Sequence, residues 1–208
     1  LYQREGHRRL IVTGFGKAAF AMARAVRREL ADLIADGCIV TKDGHRVPDV
    51  SLDPIRVREA GHPLPDERGL AATAEILRLG AGDERILVVN LVSGGGSALL
   101  VAPAPGVSLA EKQRVTEQLL KAGATIQELN AVRKHLSRVK GGRLAAHLHP
   151  ARTLSFILSD VIGDAVDVIA SGPTAPDPTT YDEAWAVLER HRLFSDVPDA
   201  VRALLNRG

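Results

Sequence analysis

Short, nearly continuous apolar runs recur along the chain at "RLIVT" (Arg9 to Thr13), "CIVT" (Cys38 to Thr41), "IRVREA" (Ile55 to Ala60), "RILVVNLV" (Arg85 to Val92) and "TLSFILS" (Thr153 to Ser159). Runs of this length, rich in Val, Ile and Leu and without alternation, suit strands buried on both faces. Helical stretches separate them. The first, "AAFAMARAVRRELADL", starts where "GFGK" interrupts the opening strand. Strand alternating with helix predicts an α/β domain around a parallel sheet.

Helix starts are marked by three capping boxes, in which Ser or Thr precedes Glu by three residues: Ser108 with Glu111, Thr125 with Glu128, and Thr180 with Glu183. The region Asp160 to Thr180 has mixed polarity and several Pro or Gly breaks, which predicts a long ordered loop or a loop around one short helix. Loops of that length in a compact domain are usually functional or disordered, and the apolar residues here favour function.

A length of 208 residues without internal repeats fits one domain, residues 1–208. Hydrophobic residues are 45% and charged residues 25%, and no apolar run approaches the roughly 20 residues of a membrane helix. No membrane role is expected. With net charge +2 and only 3% aromatic residues, nucleic acid is not an expected partner. The chain begins with Leu1, and "LYQREGHRR" has neither the apolar core nor the cleavage site of a signal peptide, so an origin inside a longer gene product is expected. The single cysteine, Cys38, excludes an internal disulfide and is expected to pack as an inert strand residue. A reducing, cytoplasmic location follows.

Ligands of an open α/β sheet bind beyond the carboxyl ends of its strands, and three unusual loops follow predicted strands: "GFGKAA", "SGGGSA" and "SDVIGD". They are expected to meet on one edge. In the second, Gly94, Gly95 and Gly96 permit the positive φ values of an anion-binding backbone nest, flanked by hydroxyls of Ser93 and Ser97; a tight connection is the alternative. Lys17 stands at a helix start, where its charge opposes the helix dipole and calls for an anion unless solvent takes it. Gly14, Gly16 and Ala19 superficially match a dinucleotide fingerprint, but the acidic ribose partner is only ambiguously supplied by Asp36.

Further along, "NAVRKHLSRVKGGRLA" places Asn130, Arg133, Lys134, His135, Arg138, Lys140 and Arg143 on a predicted helix, a glycine pair and a second helix start. Asn130, Arg133, Lys134 and Ser137 share a face at spacings of three and four, suited to a carboxylate or phosphate, or equally to a solvated basic surface. Asp160 and Asp164 in "LSDVIGD" are spaced to share a magnesium ion through water or to orient an attacking hydroxyl, while turn and cap roles serve as well. "AGHPLPDERG" reads as a rigid turn with Asp66 capping the next helix, or as a site edge holding His62. The remaining histidines have no metal-ligand spacing, and no Ser-His-Asp arrangement is readable.

Five segments, "GFGKAAFAMARA", "EAGHPLPDERG", "LVSGGGSALLVAP", "LLKAGATIQELNAVRKHLSRVKGGRLA" and "LSDVIGDAVDVIASGPTAPDPTT", occur in an order that resembles the ATP-dependent glycerate 2-kinase family, some members of which are labelled hydroxypyruvate reductases. The resemblance runs from about Leu10 to the end. It implies a Rossmann-like three-layer α/β fold with a mostly parallel sheet between helices. This chain would be the larger N-terminal domain, with a smaller C-terminal domain outside it and the active site between the two. It also implies that Lys17 steadies the transferring phosphate and that Ser93, Gly94, Gly95, Gly96 and Ser97 hold substrate or phosphate groups. Asn130, Arg133 and Lys134 would line the cleft, with Asp160, Asp164, Ser171 and Thr174 opposite. Asp160 would be catalytic with Lys17, and Asp160 and Asp164 would hold Mg2+.

The implied reaction moves the γ-phosphoryl of ATP to the C2 hydroxyl of D-glycerate, giving 2-phosphoglycerate and ADP. Partners are then glycerate and the nucleotide, with a homodimer as a possible assembly. Two competing readings are an NAD(P)H-dependent hydroxypyruvate reductase and a non-catalytic anion-binding fragment.

Overall fold

A computed structural model describes residue 2, residues 5–79 and residues 83–207. Five strands form one parallel sheet: β1 (Arg9–Phe15), β2 (Ile34–Lys42), β3 (Ile55–Ala60), β4 (Ile86–Ser93) and β5 (Arg152–Leu158), in the order β3-β2-β1-β4-β5. Helices α1 (Ala19–Leu30), α2 (Glu67–Leu79), α3 (Gly96–Leu99), α4 (Leu109–Lys121), α5 (Ile126–His135), α6 (Arg143–Leu148), α7 (Tyr181–Arg190) and α8 (Asp199–Leu205) complete it. All three layers of the Rossmann-like expectation are present.

One sheet face packs Leu10, Val12, Leu87, Val89 and Leu91 against Phe20 and Ala23 of α1. The other packs Ile11, Val88 and Val92 against Ile76 of α2 and Leu144 and Leu148 of α6. A third apolar cluster joins α4, α5, α7 and α8 through Val115, Leu119, Leu129, Val132, Leu188 and Val201. Each helix of that cluster except α8 begins at one of the predicted capping boxes, with both reciprocal hydrogen bonds formed. Polar residues inside the sheet satisfy one another: Thr13 donates to Asn90, whose amide donates to Ser155. Cys38 is fully buried, and burial pushes its thiol up to about 12, which keeps it inert.

Two sequence expectations are corrected. Strand β5 is not buried on both faces: Phe156 and Leu158 are exposed, because β5 is an edge strand. The basic helix stops at His135, leaving Ser137, Arg138 and Lys140 in a following loop. There Arg138 donates its N–H to the Ala102 carbonyl and Leu136 accepts from Ala104, so backbone pairing with residues 102–104 replaces further helix.

The sheet order reverses between β1 and β4, whose ends at Phe15 and Val92 are paired neighbours. Loops leaving this reversal point face a common crevice, the usual ligand position in such folds. The loop from Asp160 to Thr180 winds around a single short turn of 3-10 helix at Ile169–Ser171, as the sequence predicts.

Candidate functional site

The two glycine loops are locked together at the reversal point. Gly16 has φ +124°, and a Cβ there would collide with Ser93, so this approach requires glycine. Lys17 donates its N–H to the Gly94 carbonyl at 2.9 Å, and Ala18 donates to Ser93 Oγ at 3.0 Å. Ser93 is therefore a buried strut between the loops, with its oxygen used in tying down α1.

The triple glycine is crowded from three sides. A Cβ on Gly94 would strike the Asp160 carboxylate. On Gly95 it would lie 3.0 Å from His62 Nε2 and 3.1 Å from Lys17 Cε, and on Gly96 it would lie 2.9 Å from both Ala170 and the Phe15 ring. Only Gly95 among the three has positive φ, at +82°, so close approach rather than a full backbone nest is what demands them. Lys17, His62 and Asp160 thus converge over one bare stretch of backbone. Lys17 and Asp160 are exposed and make no side-chain hydrogen bond or ion pair among the described residues.

Burial first, and then the Lys17 charge, hold the His62 imidazole below its ordinary value. The sequence leaves His62 between two readings, a rigid turn and a site edge, and the structure puts it at the site edge. Its neighbour Asp66 does have the structural role, accepting N–H groups of Gly61 at 3.0 Å and Gly69 at 3.1 Å. The glycine loop's need for space opposite the "GHP" turn was not readable from either segment alone.

Beside this floor lies a cavity of about 300 Å³, lined by His62, Gly95, Ser97, Val101, Gln113 and Arg133. The Arg133 guanidinium has no hydrogen bond or ion pair among the described residues, and burial lowers its pKa. A desolvated, unpaired guanidinium facing a cavity favours an anion there, since its fork matches a carboxylate or phosphate.

Apart from Arg138, which is exposed, the other basic residues of this stretch are not a solvated face. Lys134 is buried and ion-paired with Asp177 at 3.2 Å and Asp167 at 3.5 Å, away from the cavity. Lys140 is 0% exposed and donates to the Ser97 carbonyl at 2.9 Å, while Lys112 donates to the carbonyls of Arg133 and Leu136, each at 2.9 Å. Burial pushes both lysines well below their ordinary pKa. They brace the backbone that carries Ser97 and Arg133.

Asn130 accepts the Ser171 hydroxyl at 3.0 Å, and Ser171 lies 2.9 Å from Ser97 Oγ. Ser171 and Ala170 hold φ values of +64° and +52°, a strained conformation consistent with a fitted site wall. Thr174 is not part of it, because its hydroxyl pairs with Ser155 of β5 at 3.1 Å. Asp164 is exposed with φ +50°, and no cluster of three metal-ligating side chains occurs among the described residues. Asp36 stands near the start of β2 and pairs with Arg56, at the opposite end of the strand from the glycine loops. The dinucleotide arrangement is therefore not built: its ribose carboxylate is misplaced, and the N–H groups of Lys17 and Ala18 are already bonded.

A family described as a domain of unknown function, DUF4147, matches residues 2–206. D-glycerate 2-kinase of Thermotoga maritima is 48% identical over 184 residues, 88% of this chain and 44% of that protein. An Agrobacterium vitis protein provisionally named hydroxypyruvate reductase is 47% identical, over 96% of this chain and 51% of that protein. The crystal structure of glycerate kinase from Thermotoga maritima superposes with a TM-score of 0.89 at 44% identity, covering 97% of this chain and 48% of that one. The chain spans about half the length of the curated relatives it matches.

Proposed function

Because this chain belongs to the DUF4147 family, we propose that it is the larger, N-terminal domain of a glycerate 2-kinase, transferring the γ-phosphoryl of ATP to the C2 hydroxyl of D-glycerate in the cytoplasm. The relatives' name supports the substrate. The observation that carries the reading is the convergence of Lys17, His62 and Asp160 on the glycine loop, beside the unpaired Arg133.

Phosphoryl transfer rests mainly on positioning and charge neutralisation. Arg133 takes the glycerate carboxylate as a bidentate pair, with Ser97, Ser171 and Asn130 fixing the wall beside it. Lys17 sits against the transferring phosphate over Gly94, Gly95 and Gly96. Asp160 orients the C2 hydroxyl and accepts its proton, and neutral His62 packs beside Lys17 without adding a second positive charge. Lys134 and Thr174 take supporting places, the first in its ion pairs and the second against β5.

The free carboxylate of Asp160 fits Mg2+, which is commonly held by one or two carboxylates, water and substrate phosphates, with Asp164 as the second candidate. When bound, the ion would neutralise charge on the phosphate oxygens. A reductase reading is weaker, since the Gly14 and Gly16 loop is packed against β4, Asp36 stands at the other end of β2, and Asp43 just after β2 is taken up by a bidentate pair with Arg68.

In the full-length gene product, Lys17→Ala is expected to lower kcat on the order of 100-fold or more with unchanged Tm, as for loss of one electrostatic contact in a transition state. Arg133→Gln should instead raise KM for D-glycerate more than it lowers kcat. Wild-type kcat for Lys17→Ala, or an unchanged KM for Arg133→Gln, would remove those residues from these roles.

A further inference from the structure

Asn130, Ser171 and Ser97 form a line of hydrogen bonds whose direction is fixed at its far end. Asn130 of α5 is 5% exposed and Ser171 is fully buried. The Asn130 side-chain oxygen only accepts, so the Ser171 hydroxyl, 3.0 Å away, donates to it. A serine hydroxyl has a single proton. With that proton spent on Asn130, Ser171 receives its second hydrogen bond from Ser97 Oγ at 2.9 Å. The Ser97 proton is thereby spent as well, and its oxygen offers the cavity lone pairs alone.

Both serines are fixed by their backbones. Ser171 keeps φ +64°, with its N–H on the Val168 carbonyl at 2.9 Å and its own carbonyl accepting from Gly141 at 3.1 Å. The Ser97 carbonyl accepts from the fully buried Lys140 at 2.9 Å. Neither hydroxyl has a partner beyond this line among the described residues. The uncharged polar neighbours in the cavity spend donors elsewhere too: Thr116 donates to the Lys112 carbonyl at 2.9 Å, and the Gln113 amide to the Pro65 carbonyl at 2.6 Å. Within one cavity, therefore, Arg133 donates and Ser97 accepts. A ligand that matches both carries a carboxylate and, a few atoms away, a hydroxyl hydrogen. In D-glycerate, with its C2 hydroxyl at Asp160, that hydrogen belongs to the C3 hydroxyl.

We infer that Ser97 Oγ accepts the C3 hydroxyl of the substrate, so that the site selects 2-hydroxy acids bearing a second hydroxyl, with Asn130 setting this preference through Ser171. The inference rests on the glycerate reading of the site and adds to it a hydrogen-bond direction. It also separates Ser97 from the phosphate, to which a hydroxyl without a free proton has nothing to donate. A site that hydrogen-bonds a substrate hydroxyl rejects the analogue lacking it, because its own polar group is then left unpaired.

Calorimetry on the full-length gene product without ATP tests this with three ligands: D-glycerate, D-lactate, whose C3 has no hydroxyl, and 3-fluoro-D-lactate, whose fluorine fills the hydroxyl's place but donates nothing. Ordinary hydrogen-bond strengths make D-glycerate on the order of 10- to 100-fold tighter than the other two. Ser97→Ala should weaken D-glycerate by that factor and leave D-lactate where it was. Asn130→Asp, whose carboxylate also only accepts, should keep the ratio between the two ligands, whereas Asn130→Leu should shrink it. A role confined to holding the fold together would move both ligands alike. Equal wild-type affinity for D-glycerate and 3-fluoro-D-lactate would overturn the proposal. So would Ser97→Ala weakening D-glycerate and D-lactate by the same factor, or Asn130→Asp losing the ratio as fully as Asn130→Leu. Undetectable D-glycerate binding would remove the glycerate reading and this proposal together. Binding with the stated preference but without phosphoryl transfer would leave the proposal standing while the kinase reading falls.

Discussion

His62 has the most informative environment of any single residue in the site. Its ring touches the space a side chain at Gly95 would need, next to Lys17, and burial with that charge disfavours the imidazolium. A bound anion would reverse the balance by favouring the charged form. Proton NMR of the His62 ring should therefore give a pKa below 6.5 in the free protein, and adding inorganic phosphate should move it upward. An unchanged His62 titration on saturation with phosphate would place the anion elsewhere. Residue-level chemistry was only partly legible beforehand. Lys17 and the triple glycine announced themselves by type and position. His62 did so only as one of two readings, because what decides between them is a contact with residue 95 made across the fold. Lys112 carries no local signal and Lys140 reads only as one of a basic cluster, since burial of a lysine among carbonyls depends on segments distant in sequence.

Elements were most legible where their signals are local. The three capping boxes need only four consecutive residues, and all three form. Elements decided by their neighbours were not: the helix ending at His135 yields to pairing with residues 102–104, and a continuous apolar run cannot tell a central strand from the uncovered edge β5. One cap also ties two elements together. Glu128 accepts the Thr125 N–H within α5 and meets Arg190 and His191 at the end of α7. These contacts, the Thr125 N–H foremost, lower its pKa from 4.5 to about 2. A depressed carboxylate contributes stability above its unfolded pKa and loses it as pH falls through the folded value. Acid unfolding followed by circular dichroism should thus steepen between pH 4.5 and about 2, and Glu128→Gln should flatten that slope while lowering stability at neutral pH. Identical slopes in the two proteins would show that the link between α5 and α7 carries no proton-dependent stability.

At the scale of the whole molecule, the sheet order converts separate motifs into one site. Reversal between β1 and β4 sets "GFGK" against "SGGGS", and β5 next to β4 brings Asp160 over Gly94, as the meeting of three loops on one edge anticipated. The same order leaves β5 at an open edge of the sheet. The central claim is that this crevice transfers phosphate to glycerate. Its most direct test follows ADP release by the full-length gene product with ATP, magnesium and D-glycerate, alongside NADH oxidation with hydroxypyruvate. The account predicts ADP release that depends on D-glycerate and no NADH oxidation; NADH oxidation without glycerate-dependent ADP release would contradict it.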